Sequence, residues 1–227
     1  MGLVVYLDTI LVPMSVFVIV GYHAYLSHSI KNNPSSTTFG TNKLKRSAWR
    51  LNLDQGDDKK GMLVIQSLRN TLMATIFTAT ITILMSLALA ALNNNAYTAS
   101  HHHHHMMSSK LFGSKSDILS VLKYASASLF LAISFMFSSM AIAFLIDANF
   151  WMNAHHHHHQ QLILCEEEGY TKTILERAFT LPLIANRLLC SSLPLFLWML
   201  GPIPLFFSSL ALVWWLHHLD FLPNFSK

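Results

Sequence analysis

Five polar residues stand where they can hold a charged group: Arg69, Asn70, Asp147, Asn149 and Arg187. Each lies at the edge of a long apolar run. Gln66, Arg69 and Asn70 lead into one run, Asp147 and Asn149 leave another, and Asn186 and Arg187 enter a third. Two arginines, an aspartate and amides can satisfy one another as a charge-assisted network, or turn their donors toward an anion or lipid headgroup. The competing reading is anchoring, with the arginines snorkelling their heads to a membrane surface. Asp8 and Lys123 are expected near the opposite face.

Two histidine runs, His101–His105 and His155–His159, carry imidazoles that bind zinc, nickel or copper. Neither shows the paired ligands at fixed spacing of a structural metal site, so both read as loop expansions. Cys165 and Cys190 are not at ligand spacing, and their expected cytoplasmic side disfavours a disulfide. The chain has no Gly-rich phosphate loop, nucleophile elbow, HExxH or tandem CxxC. Glu166, Glu167 and Glu168 read as a solvated loop or as the acidic first turn of the helix through Arg177. The expectation is a protein without catalytic residues, cofactor or metal.

The elements that position these residues are apolar. Four stretches, 3–24, 71–92, 119–146 and 188–216, are each long enough to cross a hydrocarbon layer, which takes about 20 helical residues. Only 11% of residues are charged and 52% are hydrophobic, against about 25% charged in a soluble domain. Soluble core helices carry a charged stripe, and 71–92 has no charge at all. The expectation is an all-α, integral-membrane bundle of four transmembrane helices forming one domain over 1–227, multi-pass, in a membrane that the sequence does not specify.

Orientation follows from lysine and arginine placement. The loop 31–61 holds Lys31, Lys43, Lys45, Arg46, Arg50, Lys59 and Lys60, and the third loop adds Lys172, Arg177 and Arg187. The second loop has only Lys110 and Lys115. The first and third loops are therefore expected in the cytoplasm, with the second loop and both chain ends on the other side. The net charge of +4 comes from residues beside the spans. It suits the bilayer and anionic lipid at the basic loop, and no aromatic-basic interleaving suggests nucleic acid. Protein partners and oligomeric state stay open.

The spans differ in character. Thr71, Thr75, Thr78, Thr82 and Ser86 line one helical face of the second. Ser128, Ala132 and Ser139 share a face of the third, beside Ser134, Ser138 and Ala141. Small residues allow close helix approach, and packing is preferred over a hydroxyl-lined pathway. The fourth, 188–216, would be ~43 Å long if straight. It contains Pro194 and Gly201-Pro202-Ile203-Pro204, which predicts one long span kinked at Gly201-Pro202. A re-entrant pair of half-helices is the alternative.

Several of these motifs together resemble a known family. They are Gly21-Tyr22-His23, then Asn42 with Arg46 and Trp49, then Gln66-Ser67-Leu68-Arg69-Asn70. Phe112-Gly113-Ser114-Lys115-Ser116-Asp117, Arg177-Ala178-Phe179 and Asn186-Arg187 follow in order. The longest runs from Leu193 to Pro202, and the series ends at Leu219-Asp220. In this the chain is similar to the plant branch of the "domain of unknown function 599" family. The resemblance implies a four-span plant membrane protein whose biochemical role is not established, and the polar residues make a small-solute or ion transport component the expected function. The alternative is a structural or regulatory protein docking partners or anionic lipid through its basic loop. Ala143, Ile146 and Asp147 stand where the family pattern carries an arginine and amides, and both histidine runs are additions.

Overall fold

The computed structural model describes residues 2–53, 58–102, 117–157 and 165–221, with side chains at 8–46, 62–95, 119–153 and 173–221. All regular structure among them is helical. Helix α1 (Gly2–Asn32) is followed by a single 3-10 turn (Pro34–Ser36), α2 (Thr38–Leu53), α3 (Asp58–His102), α4 (Asp117–His157), α5 (Cys165–Trp198) and α6 (Pro202–Asp220). Among the described residues, five stretches are long and apolar enough to cross a membrane: Asp8–Asn32, Met62–Asn95, Leu119–Asn153, Thr173–Trp198 and Pro202–Asp220.

The four-span expectation is thereby corrected. The stretch 188–216 is not one kinked helix but the end of α5 and the whole of α6. Backbone bonds of the i to i−3 kind close α5: Met199 N–H to Phe196 O, Leu200 N–H to Leu197 O and Gly201 N–H to Trp198 O. Gly201 then takes a φ of 150°, which a side chain at Cβ would resist. Pro202 lacks an N–H and restarts the helix at its first position. The 19 residues of α6 rise about 28 Å, close to the ~30 Å of a hydrocarbon core. Upstream, α5 runs back through Arg187, so a residue expected at the edge of a span lies well inside a helix. The other helices outrun their apolar cores because helix-compatible polar residues extend both ends.

Burial is inverted relative to a soluble helix. On α1 the buried side chains are Asp8, Ser15, Tyr22 and Leu26, while Phe17, Val20 and Ile10 are exposed, Phe17 at 76%. On α6 the buried positions are Pro202, Leu205, Ser209, Leu216 and Asp220, while Trp214 is 69% exposed. Apolar groups outward and polar groups inward is the arrangement a lipid environment favours.

The chain divides into two compact units. One comprises Met1–Leu51, Asn93–Ala127 and Ser191–Lys227. Its main packing is α1 against α6, where Tyr22, Leu26 and Leu216 form an apolar knot with Ile30, Phe39, Leu212, Val213 and Phe221 around it. The other comprises Asn52–Leu92 and Ser128–Cys190. Its core is Val64 and Leu68 of α3, Leu145, Ala148 and Met152 of α4, and Ile174, Ala178 and Phe179 of α5. There Ser134 Oγ donates to Ala185 O at 2.8 Å, tying α4 to α5.

Small polar residues serve packing. The hydroxyls of Thr71, Thr75, Thr78, Thr82 and Ser86 each donate to the carbonyl four residues earlier, at 2.7–3.1 Å. With donors turned onto their own backbone, Thr75 and Thr82 bury without outside partners. On α4 the buried face is Ala127, Leu131, Ser134, Ser138, Ala141, Leu145, Ala148 and Met152, a strict four-three alternation. The face through Ala132 and Ser139 is exposed.

Helix α6 runs in the same direction as α1. It begins one short turn after Trp198, whose ring faces Lys123, itself within the electrostatic reach of Asp8 near the start of α1. It ends with Asp220 bonded to Tyr22. An isolated antiparallel bridge joins Thr37 to Phe221, and Thr38 Oγ1 donates to Leu219 O at 3.0 Å. The end of the described chain therefore lies beside the end of α1, not beside its beginning as expected. A reporter fused after Lys227 is predicted to read on the same membrane side as one inserted at the 3-10 turn Pro34–Ser36 that follows α1; readings on opposite sides would refute the five-helix arrangement.

Candidate functional site

Of the five residues singled out from the sequence, three are exposed on the second unit and two are half-buried, and none belongs to its apolar core. Arg69 and Asn70 on α3 and Asp147 on α4 are exposed, while the neighbouring buried positions Leu68, Leu145 and Ala148 are apolar. Asn149 is half-buried, and its carbonyl accepts the Asn153 side-chain amide at 2.8 Å. Arg187 is half-buried well inside α5, with its Nη1 atom fully enclosed. Arg177, one helical turn from the core residue Ile174, places its guanidinium 5.7 Å from the Phe144 ring centroid. Both histidine runs fall outside the residues whose side chains are described. Among the described residues no group of three or more His, Cys, Asp or Glu is placed to hold a metal ion.

The first unit holds Asp8 and Lys123, which the sequence placed only near the opposite face, and gives them a common setting with Trp198. Asp8 is 6% exposed, and both of its carboxylate oxygens are buried with no hydrogen bond. Lys123 of α4 is 5% exposed and lies in the electrostatic field of Asp8. Its Nζ sits 5.7 Å from the centroid of the Trp198 ring, at the end of α5. That geometry is a cation–π contact, which strengthens when desolvated. Trp198 is itself buried, and its indole N–H is without a hydrogen-bond partner.

Each helix reaches this place for a local reason. Lys123 lies one turn before Ala127 and so continues the buried face of α4. Trp198 is the last residue of α5 before the Gly201 reversal, which fixes the ring between the helix end and α4. Asp8 opens a line of buried positions, Asp8, Ser15 and Tyr22, spaced by seven and so stacked on one face of α1. At the far end of that line the Tyr22 hydroxyl donates to Asp220 Oδ2. Asp220 is only 1% exposed. Around it the Phe221 ring stacks on His217 at 4.7 Å and meets Tyr25 at 5.5 Å.

The chemistry of the first cluster is that of an acceptor held in reserve. A carboxylate stripped of water and of hydrogen-bond donors retains its full acceptor capacity. The nearby ammonium offsets the cost of burying it, without bonding to either of its oxygens. Such a site takes a proton, a small cation or a donor group.

The seven-residue recurrence of Asp8, Ser15 and Tyr22 is visible in the sequence, yet hydroxyls in apolar helices are common enough that only burial distinguishes it. The Lys123–Trp198 meeting has no sequence signal, because it depends on where the chain reverses.

Comparisons with known proteins give a single family. A family model described as "Protein of unknown function, DUF599" matches residues 10–225, nearly the whole chain. No curated protein and no solved structure matches it.

The pairing predicts an asymmetric stability cycle. Lys123→Met leaves the Asp8 carboxylate uncompensated and is expected to cost about 3 kcal/mol, with Asp8→Asn/Lys123→Met recovering most of that loss. Thermal melting in detergent checks it. A double-variant change equal to the sum of the Asp8→Asn and Lys123→Met changes would show that the two side chains do not interact.

Proposed function

We propose that this chain, which belongs to the DUF599 family of unknown function, is a multi-pass membrane protein that moves a small solute or ion. We place the binding site at Asp8, Lys123 and Trp198. The observation that carries this reading is the Asp8 carboxylate, buried without a hydrogen bond beside a buried lysine. A charged residue at membrane depth costs a few kcal/mol even by the mildest scales, so such residues mark pathways, relays or counter-ions. A purely structural pair would be expected to close its hydrogen bonds.

Lys31 lies in the last turn of α1, and Lys43, Lys45 and Arg46 lie on α2. The positive-inside rule puts that end in the cytoplasm. Asp8, Lys123 and Trp198 then open toward the lumen or exterior, while Tyr22, Asp220 and Phe221 face the cytoplasm. Trp214 and Trp215, exposed near the end of α6, suit the membrane interface on that side. This role is non-enzymatic and needs no cofactor. The plant branch belongs to the same reading and rests on the Leu193–Pro202 run and its companion motifs.

A second reading is favoured by α2. Lys43 and Lys45 are exposed with exposed Leu44 between them, and Arg46 is half-buried, its guanidinium pushed below its ordinary range by burial. The helix is held where it leaves α1: Gly40 packs so closely on Pro34 that a Cβ would run into the Pro34 carbonyl, and Gly40 N–H donates to Thr37 Oγ1 at 3.1 Å. A basic helix fixed at the end of a span is suited to anionic headgroups.

One set of vesicles tests both. Purified protein is reconstituted in neutral liposomes and in liposomes containing phosphatidylserine, and efflux of rubidium, sodium and chloride tracers is followed. Flux of at least one tracer, or of protons followed with an internal pH dye, is expected above that of empty liposomes, and Asp8→Asn or Lys123→Met is expected to lower it at least tenfold. Flux that survives both substitutions unchanged would refute the site. No flux in any vesicle, with reconstitution that requires phosphatidylserine and is lost in Lys43→Gln/Lys45→Gln, would favour the docking role instead.

A further inference from the structure

We infer that the species passing along the buried face of α1 is the proton, an inference that rests on the transport reading above and names its substrate. Two buried carboxylates, Asp8 and Asp220, stand at the two ends of that face. Among the described residues, the buried positions of α1 between them are Ser15, Tyr22 and Leu26. Asp8, Ser15 and Tyr22 are separated by seven residues each, so about 10 Å of rise divides successive stations and about 21 Å divides the first from the last. The parallel helix α6 contributes Ser209, buried and on the same helical face as Leu216 and Asp220. Ser15 Oγ donates to Leu11 O and Ser209 Oγ donates to Phe206 O, each at 2.8 Å. Both hydroxyl oxygens thus keep lone pairs that can accept a proton from one side while the O–H is passed on at the other.

The substrate class follows from what this seam offers. Among the described residues it contains no ring of carbonyls or carboxylates that could replace the hydration shell of a metal cation. Its polar groups are single, spaced and enclosed by Leu26, Leu205 and Leu216. A proton needs only a succession of such groups with short files of water between them, whereas a hydrated ion needs continuous coordination.

The charges facing each end fit loading and release. Asp8 is faced by Lys123 of α4, with the Trp198 ring beyond it. Asp220 is faced by the Tyr22 hydroxyl of α1, with His217 and His218 on its own helix. A proton arriving at Asp8 converts the carboxylate to the acid and leaves Lys123 as the local charge. One proton leaving at the Tyr22–Asp220 end for each one entering restores every group.

The full chain in liposomes loaded with pyranine, with potassium and valinomycin to compensate charge, tests this directly after an external pH step. Internal pH is expected to follow at least tenfold faster than in empty liposomes. Asp8→Asn is expected to remove the difference, and Tyr22→Phe, which keeps the ring and deletes only the hydroxyl, to slow it severalfold. Gel filtration confirms that each variant is folded. Proton entry no faster than in empty liposomes, or unchanged in both variants, overturns the inference. Tracer flux that depends on Asp8 in the absence of proton flux overturns the proton alone and leaves the transport reading standing. Loss of both would end both.

Discussion

The reversal at Gly201 and Pro202 is the constraint on which the first unit depends. A glycine at φ 150° followed by a residue without an N–H ends one hydrogen-bond ladder and begins another. Because the chain turns there, α6 returns alongside α1 in the same direction, and Asp220 comes to Tyr22. The same turn ends α5 at Trp198 and sets that ring against Lys123. A single bent helix in its place would carry Asp220 away from Tyr22.

Energetics explain why the polar groups lie where they do. In hydrocarbon an exposed leucine or phenylalanine costs nothing, while an ionised side chain costs a few kcal/mol or more. Exposed Phe17, Phe207 and Leu87 with buried Asp8, Lys123 and Asp220 follow that balance. The two carboxylates are satisfied differently. Asp220 accepts a tyrosine hydroxyl and closes the α1/α6 seam, so it acts on packing as well as charge. Asp8 relies on the field of Lys123 and keeps its lone pairs unused. That difference between the two ends gives the seam a direction.

Much of the helical content was legible in composition. The apolar runs behind α1, α3 and α4 need no tertiary information, since length and the absence of charge decide them. The threonine spacing of α3 also gave the right account, packing with hydroxyls turned back on their own helix. Between Arg187 and Leu216 the reading failed for a physical reason. An apolar window treats Arg187 as a boundary, although a helix continues through a charged residue wherever its backbone bonds are intact. A kink and a full reversal share the same Gly-Pro signature, and only the packing of α6 on α1 distinguishes them. The polar residues chosen from the sequence were those at the ends of apolar runs, where charge is conspicuous. Asp8 and Lys123 look like end residues too, and only their burial, with Lys123 against Trp198, sets them apart.

The direction of α6 is the point from which the paired carboxylates, the site at Trp198 and the location of the chain end all follow. Crosslinking measures it most directly. In a chain with Cys165→Ser and Cys190→Ser, the pair Tyr25→Cys and Phe221→Cys replaces two rings that meet at 5.5 Å. A short bismaleimide should join them within one chain, and should leave Tyr25→Cys with Ile203→Cys unjoined. Crosslinking of the second pair and not the first would place α6 in the opposite direction and contradict the account.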